Sequence, residues 1–334
     1  MYATLSAVEF HIPSNRVGND EVAALAVNWS PQKILDKTGI SERYVAAADE
    51  CSSDLAFRAA EKLFASESCL RSEIDFLIFC TQSPDYLLPT TACLLQDRLK
   101  LRTAIGALDF NLGCSGYIYG LGLAQGLIET GQARNVLLLT GETYSKFLRE
   151  DDLSVRSLFG DAGSATLLRG IPAEGPLIGP YLYGTDGQGA ENLILRRNSL
   201  RKAIETDATA TKRGEYLYMD GPEIFSFALE TVPRAVNELL ARAQLQQEEV
   251  DLFIFHQANE YMLSRLQSKL QIPDERFVVA MRNVGNTVSS TIPIAIHSCL
   301  AEGRLKPGMK IMLVGFGVGY SWGATLVRYT SPLS

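Results

Sequence analysis

The sequence predicts an α/β protein built from two related halves, and three observations carry that expectation. Short apolar runs of buried-strand length alternate with runs of helical spacing along the chain. The run "IDFLIFCTQ" from Ile74 reappears as "VDLFIFHQA" from Val250: an aliphatic residue, an aspartate, four apolar residues, then a polar or reactive one. A second pair, "GSATLL" from Gly163 and "WGATLV" from Trp322, follows Phe159-Gly160 in one case and Phe316-Gly317 in the other. The separations are 176 and 159 residues, about half of the 334-residue chain. Two echoes in the same order indicate an internal duplication.

In chain order, "SSDLAFRAAEKLFA" has apolar residues at Leu55, Ala56, Ala59, Ala60, Leu63 and Phe64, which predicts a helix with Ser53 as its N-cap. "EIDFLIFC" (Glu73 to Cys80) and "RNVLLLTG" (Arg134 to Gly141) predict buried strands, and their alternation with helices implies mostly parallel pairing. Between them, "LDFN" closes a strand and "SGYIYGLGLAQGLIETG" opens a helix, with Cys114 at the joint. The boundary between halves falls near residue 171, in "GIPAEGPLIGP", giving units 1–170 and 171–334. The polar segment from Arg196 to Gly214 predicts an exposed loop. Further on, "DLFIFHQAN" is a strand ending at His256, and "PIAIHSCL" is a helical run carrying His297.

Composition bounds the function. The chain is 46% hydrophobic and 21% charged, as ordinary soluble globular proteins are. Its net charge of -7, with no basic stripe, argues against nucleic acid as a partner. The start, "MYATLSAVEFHIPSN", lacks the charged and apolar regions of a signal peptide, and no apolar run approaches membrane-spanning length. A cytoplasmic location without membrane attachment is therefore expected. The six cysteines include no C-x-x-C pair and no zinc spacing, so they are expected to be free thiols in a reducing compartment.

Five of those cysteines have no context beyond that of small buried hydrophobes. Cys114 has one: unpaired amides and the positive end of a helix dipole favour thiolate over thiol, and Gly113 and Gly116 leave room around the sulfur. This predicts a lowered thiol pKa. Of the three histidines, His11 in the first strand and His297 are expected to be structural. His256 stands where a strand ends, the place where α/β sheets bind ligands. Asn286, in "NVGNTVSSTIPIA", is either a turn asparagine or an amide donor to a carbonyl, with Ser289 or Ser290 available to cap the next helix. Gly315, Gly317 and Gly319 form either a glycine-rich hairpin or a turn whose amides hold an oxyanion.

Taken together, "KTGISERYVA", "LPTTACLLQDRL", "CSGYIYGL", "LFGDAGSATLL", "YLYMDGPEIFSFA", "HQAN", "NVGNTVSSTIP" and "GFGVGYSWGATLVR" resemble, in order and over nearly the whole chain, β-ketoacyl-ACP synthase III of the thiolase-fold condensing enzymes. Each motif alone is weak; the ordered set is specific. The resemblance implies a thiolase-like fold of two duplicated halves in α-β-α-β-α layers. It implies a Cys114, His256, Asn286 triad and an oxyanion hole from the amides of Cys114 and the Gly317–Val318 turn. It implies acyl transfer from an acyl thioester, CoA- or ACP-bound, to Cys114, followed by decarboxylative condensation with malonyl-ACP, with no metal or redox cofactor. Acyl carrier protein as partner, a homodimer, and Leu88 reaching the acyl pocket across its interface are implied as well. Lys33, Lys37, Arg156, Gln257 and Asn259 are the candidates for carrier or substrate contact.

Departures from the family pattern cluster where the donor carrier binds. Lys33 stands where an aromatic residue commonly stacks on adenine, with Trp29 one helical turn away. Leu153 takes the place of an arginine, although Arg156 is close; Tyr261, beside Glu260, takes the place of another arginine; and Val318 replaces a glycine. An unaltered triad with altered anchors implies retained chemistry and changed donor recognition, in a specialised pathway. The alternatives are an acyltransferase passing the Cys114-bound acyl group to oxygen or nitrogen, and a silent thiolase-fold partner subunit.

Overall fold

A computed structural model describes residues 1–66, 68–197 and 214–330, and most of the segment from Arg196 to Gly214 lies outside them. Thirteen strands are named here in chain order: β1 Tyr2–His11, β2 Asn15–Gly18, β3 Glu42–Val45, β4 Phe76–Cys80, β5 Gly106–Phe110, β6 Asn135–Glu142, β7 Ala162–Ile171, β8 Ile178–Thr185, β9 Leu193–Ile194, β10 Tyr218–Met219, β11 Leu252–Phe255, β12 Lys310–Gly317 and β13 Ser321–Arg328. Two sheets form the frame, ordered β1-β7-β6-β4-β5 and β11-β12-β13-β8.

The sequence echo is a topological echo. β4 runs parallel to β6, β6 antiparallel to β7, and β7 antiparallel to β1. β11 runs parallel to β12, β12 antiparallel to β13, and β13 antiparallel to β8. The echoed segments occupy equivalent places, β4 with β11 and β7 with β13. β5, parallel to β4, is reduced in the second sheet to a single bridge between Phe253 and Phe277.

Helices complete five layers. Helices Gly116–Glu129 and Thr291–Ala301 lie between the sheets, each touching strands of both. Helices Ser52–Ala65 and Thr91–Arg98 cover the outer face of the first sheet, and helices Gly221–Ala243 and Glu260–Leu270 that of the second. Strands buried on both faces read as continuous apolar runs, as "LLL" of Leu137 to Leu139 does, with each residue wholly inaccessible. No helix among the described residues is long and apolar enough to cross a membrane.

Two local expectations are corrected. Ser53 does not cap helix Ser52–Ala65; Cys51 occupies that position, its N–H donating to Asp54 Oδ2 at 2.7 Å, while Ser53 Oγ donates to Asp85. Ser290 is the residue before helix Thr291–Ala301, yet neither its hydroxyl nor that of Ser289 caps it. Both reach into the first half instead, Ser289 to Glu142 and Ser290 to Thr140.

Helix Ser52–Ala65 lies so close to β7 that a β-carbon at Gly163 would overlap the Leu55–Ala56 backbone. Backbone cannot rotate aside as a side chain can. Gly163→Ala is expected to lose about 1–3 kcal/mol of stability through overpacking, measurable as a lower urea midpoint with an unchanged slope.

Candidate active site

Cys114 lies between the end of β5 and helix Gly116–Glu129, 7% exposed. β12 passes directly over it. A β-carbon at Gly317 would stand 2.8 Å from Cys114 Cβ and 3.0 Å from Sγ, so only glycine lets the strand approach the thiol. This corrects the expectation of a three-glycine turn. Gly315 and Gly317 are strand residues, and the reversal itself is Val318 to Tyr320, with Gly319 at φ +140°. The amides of Cys114 and Val318 lie beside the sulfur and favour its thiolate.

The thiol is not the acidic one that a helix start predicts. Burial, and then the nearby Glu142 carboxyl, push Cys114 up to about 12, against the pull of those two amides. Glu142 is wholly inaccessible and accepts from the Gln82 N–H, from Ser83 Oγ at 3.1 Å and from Ser289 Oγ at 3.0 Å. Burial still raises it to about 8. Nothing in its neighbourhood in sequence, "LTGETYS", marks it out.

His256 follows β11 directly and is 2% exposed. Its N–H donates to the Val314 carbonyl at 2.8 Å, and its ring meets the edge of Phe316 at 5.5 Å. Nδ1 lies 2.8 Å from Thr291 Oγ1. Burial pulls the imidazole down to about 3, so it is neutral at working pH.

Asn286 is drawn to the first half by its backbone. Its N–H donates to the Leu158 carbonyl at 2.8 Å, and its carbonyl accepts from Gly160 at 3.0 Å. Its Oδ1 accepts the Val288 N–H at 3.0 Å, which leaves Nδ2 as the donor end. One cavity of about 80 Å³ is bordered by Cys114, His256 and Asn286, with Asn259 and Gly317 on its rim. Asn259 also caps helix Glu260–Leu270, accepting from Met262 N at 2.8 Å.

The other candidates stand elsewhere. Gln257 is spent on structure: its Nε2 donates to the Phe255 and Val278 carbonyls and its Oε1 accepts from Ala280 N. Arg156 borders a separate cavity of about 280 Å³, beside Arg43 and Lys146, and shares only Phe159 with the first. Lys33 and Lys37 are exposed, their Nζ atoms 5.3 and 5.0 Å from the centre of the Trp29 ring. Leu88 is 85% exposed. Tyr261 stacks on Phe225 at 5.4 Å, and Glu260 folds over Gly39. His11 and His297 lie outside the cavity, His297 being 3.6 Å from Glu9. Glu142, Val288 and Thr291 carry no local sequence signal: Glu142 is held by Ser289 of the other half, Val288 packs in one cluster with Cys114, and Thr291 meets His256 from a distant element.

The chain is similar to known proteins over nearly its whole length. Residues 108–187 match the family described as 3-oxoacyl-(acyl-carrier-protein (ACP)) synthase III, and residues 240–329 match that family's C-terminal part. Beta-ketoacyl-(acyl-carrier-protein) synthase III of Methylococcus capsulatus is 35% identical over 328 residues, which are 98% of this chain and 99% of that protein. A crystal structure of a 3-oxoacyl-(acyl-carrier-protein) synthase III is 49% identical at a TM-score of 0.94, covering 98% of this chain and 100% of its own. That of a 3-oxoacyl-(acyl-carrier protein) synthase from Burkholderia xenovorans is 37% identical at 0.91, covering 100% and 95%.

The raised thiol has a direct consequence. Below its pKa the thiolate fraction grows tenfold with each pH unit. Alkylation of Cys114 by iodoacetamide, followed on its own peptide apart from exposed Cys93, is expected to accelerate about tenfold per unit from pH 7 to 10 without a plateau. A plateau near pH 7 would mean that the helix start outweighs burial.

Proposed function

The chain belongs to the 3-oxoacyl-(acyl-carrier-protein) synthase III family and is a thiolase-fold acyltransferase of the condensing type, and from that premise we propose how its own residues act. Cys114 is the nucleophile and His256 and Asn286 are the donors that stabilise the condensation step. The observation that carries this reading is the single small cavity bordered by all three. The acyl donor is a thioester. Cys114 sulfur attacks its carbonyl, the carbon–sulfur bond to the carrier breaks, and the thiol proton leaves with the departing carrier thiol. The oxyanion that forms on the way is held by the amides of Cys114 and Val318, which lie beside the sulfur.

Malonyl-ACP is the second substrate. Its carbon–carbon bond to the carboxylate breaks, carbon dioxide departs, and the electron pair passes to the thioester oxygen. His256 and Asn286 donate to that oxygen. The carbanion carbon then attacks the acyl group on Cys114, and the sulfur regains a proton from solvent. The product is a β-ketoacyl-ACP, as fatty acid biosynthesis requires. Every step balances in electrons without a redox partner.

The carrier anchors support a changed mode of donor recognition. Lys33 and Lys37 flank Trp29, Leu153 is buried against Val22 and Ile34, and Tyr261 lies stacked on Phe225. A donor gripped by other contacts, in a specialised pathway, is consistent with that set. The relatives, which are synthases III by name, favour neither transfer to oxygen or nitrogen nor a silent subunit. The two sheets support units joined near residue 171, where β7 ends and the next strand, β8, enters the other sheet. Six free cysteines suit a cytoplasmic setting.

A second copy of the chain completes the proposal. β5 closes one side of its sheet, with no strand beyond it among the described residues and only partly buried residues along it. The nearby Tyr86, Leu87 and Leu88 are 61, 76 and 85% exposed. Light scattering is expected to give twice the 36.6 kDa chain mass, and Leu87→Glu with Leu88→Glu to shift it toward one chain.

The chemistry is tested by intact mass after incubation with a panel of acyl-CoA and acyl-ACP donors. One acyl adduct is expected, absent in Cys114→Ala. His256→Ala and Asn286→Ala are expected to keep the adduct and to slow condensation with malonyl-ACP by about 10²–10³-fold, the cost of one lost oxyanion donor. An adduct that survives Cys114→Ala, or none from any donor, overturns the proposal.

A further inference from the structure

The condensation step needs a proton on the His256 nitrogen that faces the cavity, and a neutral imidazole carries only one. Which nitrogen holds it is decided by the partner of the other. Nδ1 has one partner among the described residues, Thr291 Oγ1 at 2.8 Å. A threonine hydroxyl carries a single proton and has two acceptors in reach here, His256 Nδ1 and, at 3.0 Å, the Val288 carbonyl. That carbonyl already accepts the backbone N–H of Thr291. The hydroxyl proton is therefore needed more at Nδ1, which has no other donor.

We propose that Thr291 is a positioning residue for His256: its hydroxyl donates to Nδ1 and so fixes the proton on Nε2, aimed at the substrate thioester oxygen. The proposal rests on the catalytic reading above and deepens it. Thr291 is 2% exposed, and its β-branched side chain is stiff at the first turn of helix Thr291–Ala301. It contacts no substrate and acts through the histidine alone.

The turn before it holds this geometry under strain. Val288 has φ +55°, a left-handed conformation that a β-branched residue rarely adopts. It is wholly buried in the same apolar cluster as Cys114. Its N–H holds Asn286 Oδ1, and its carbonyl faces the Thr291 hydroxyl. The neighbouring Ser289 and Ser290 pin the turn to Glu142 and Thr140. One strained turn thus orients the donor ends of Asn286 and, through Thr291, of His256.

The test reads the tautomer directly. The chain has three histidines, so ¹⁵N-histidine labelling with long-range ¹⁵N–¹H correlation separates them, with assignment from His11→Gln and His297→Gln. The resting enzyme at pH 7 is expected to show His256 as the Nε2–H form, and Thr291→Ser to keep it. Thr291→Val, which removes the hydroxyl without changing shape, is expected to lose that single form. Its condensation should fall about 10–100-fold while Cys114 acylation stays within about threefold. Should Thr291→Val not fold, Thr291→Ala, which carries no donor, serves with the same two readouts. An Nδ1–H form in the resting enzyme, or a hydroxyl-free variant with unchanged tautomer and condensation, overturns the inference. An Nε2–H signal in a protein that no donor acylates would sink the catalytic reading and leave the tautomer assignment standing.

Discussion

A carboxyl with no access to water, Glu142, joins the two halves beside the cysteine, and the site depends on that joint. A buried carboxyl is costly unless donors surround it. Glu142 finds them on both sides: Gln82 and Ser83 from the first half, Ser289 from the second. Two hydroxyl pairs stand with it, Thr140 with Ser290 and Ser115 with Ser321. An apolar interface tolerates sliding, because burial has no direction. These directional contacts have one register. In that register β12 lies over Cys114, Asn286 bridges to Phe159, and Val288 is held in a conformation it would not choose.

The fold was legible because its strands are buried on both faces. Such strands read as apolar runs, and "IDFLIFC" and "VDLFIF" fall in equivalent places of the two sheets. The first-half helix was legible from spacing alone. Its cap was not, since Cys51 and Ser53 both precede apolar positions and only the contact of Ser53 with Asp85 decides between them. The glycines of "GFGVG" misled for a related reason. Glycine in sequence signals a turn, but here two of them clear space for another chain segment, Cys114, some two hundred positions away.

The site divides in the same manner. Cys114, His256 and Asn286 each end a recognisable local pattern, and the structure brings them around one cavity. Gln257 sits in an equally recognisable motif, yet its amide is consumed by the carbonyls of Phe255 and Val278 and the N–H of Ala280. Glu142, Val288 and Thr291 lie in stretches that read as ordinary strand, turn and helix start. Their importance comes from partners distant in the chain, Ser289 for Glu142, Cys114 for Val288 and His256 for Thr291, which a one-dimensional pattern does not contain.

The thiol shows most clearly how a local argument can be outweighed. A helix start lowers a cysteine pKa through a few amides, and two amides do pull the thiol down. Desolvation acts on the whole charge, and a neighbouring carboxyl adds to it, so the thiol rests protonated. The same burial keeps His256 neutral. A resting site of neutral groups carries little thiolate and so reacts slowly with stray electrophiles near neutral pH. Charge then develops only when a thioester supplies the carbonyl on which it settles, where low polarity strengthens each oriented donor. Burial that makes the nucleophile weak in isolation therefore makes the stabilisation of its oxyanion strong, and ties reactivity to the presence of substrate.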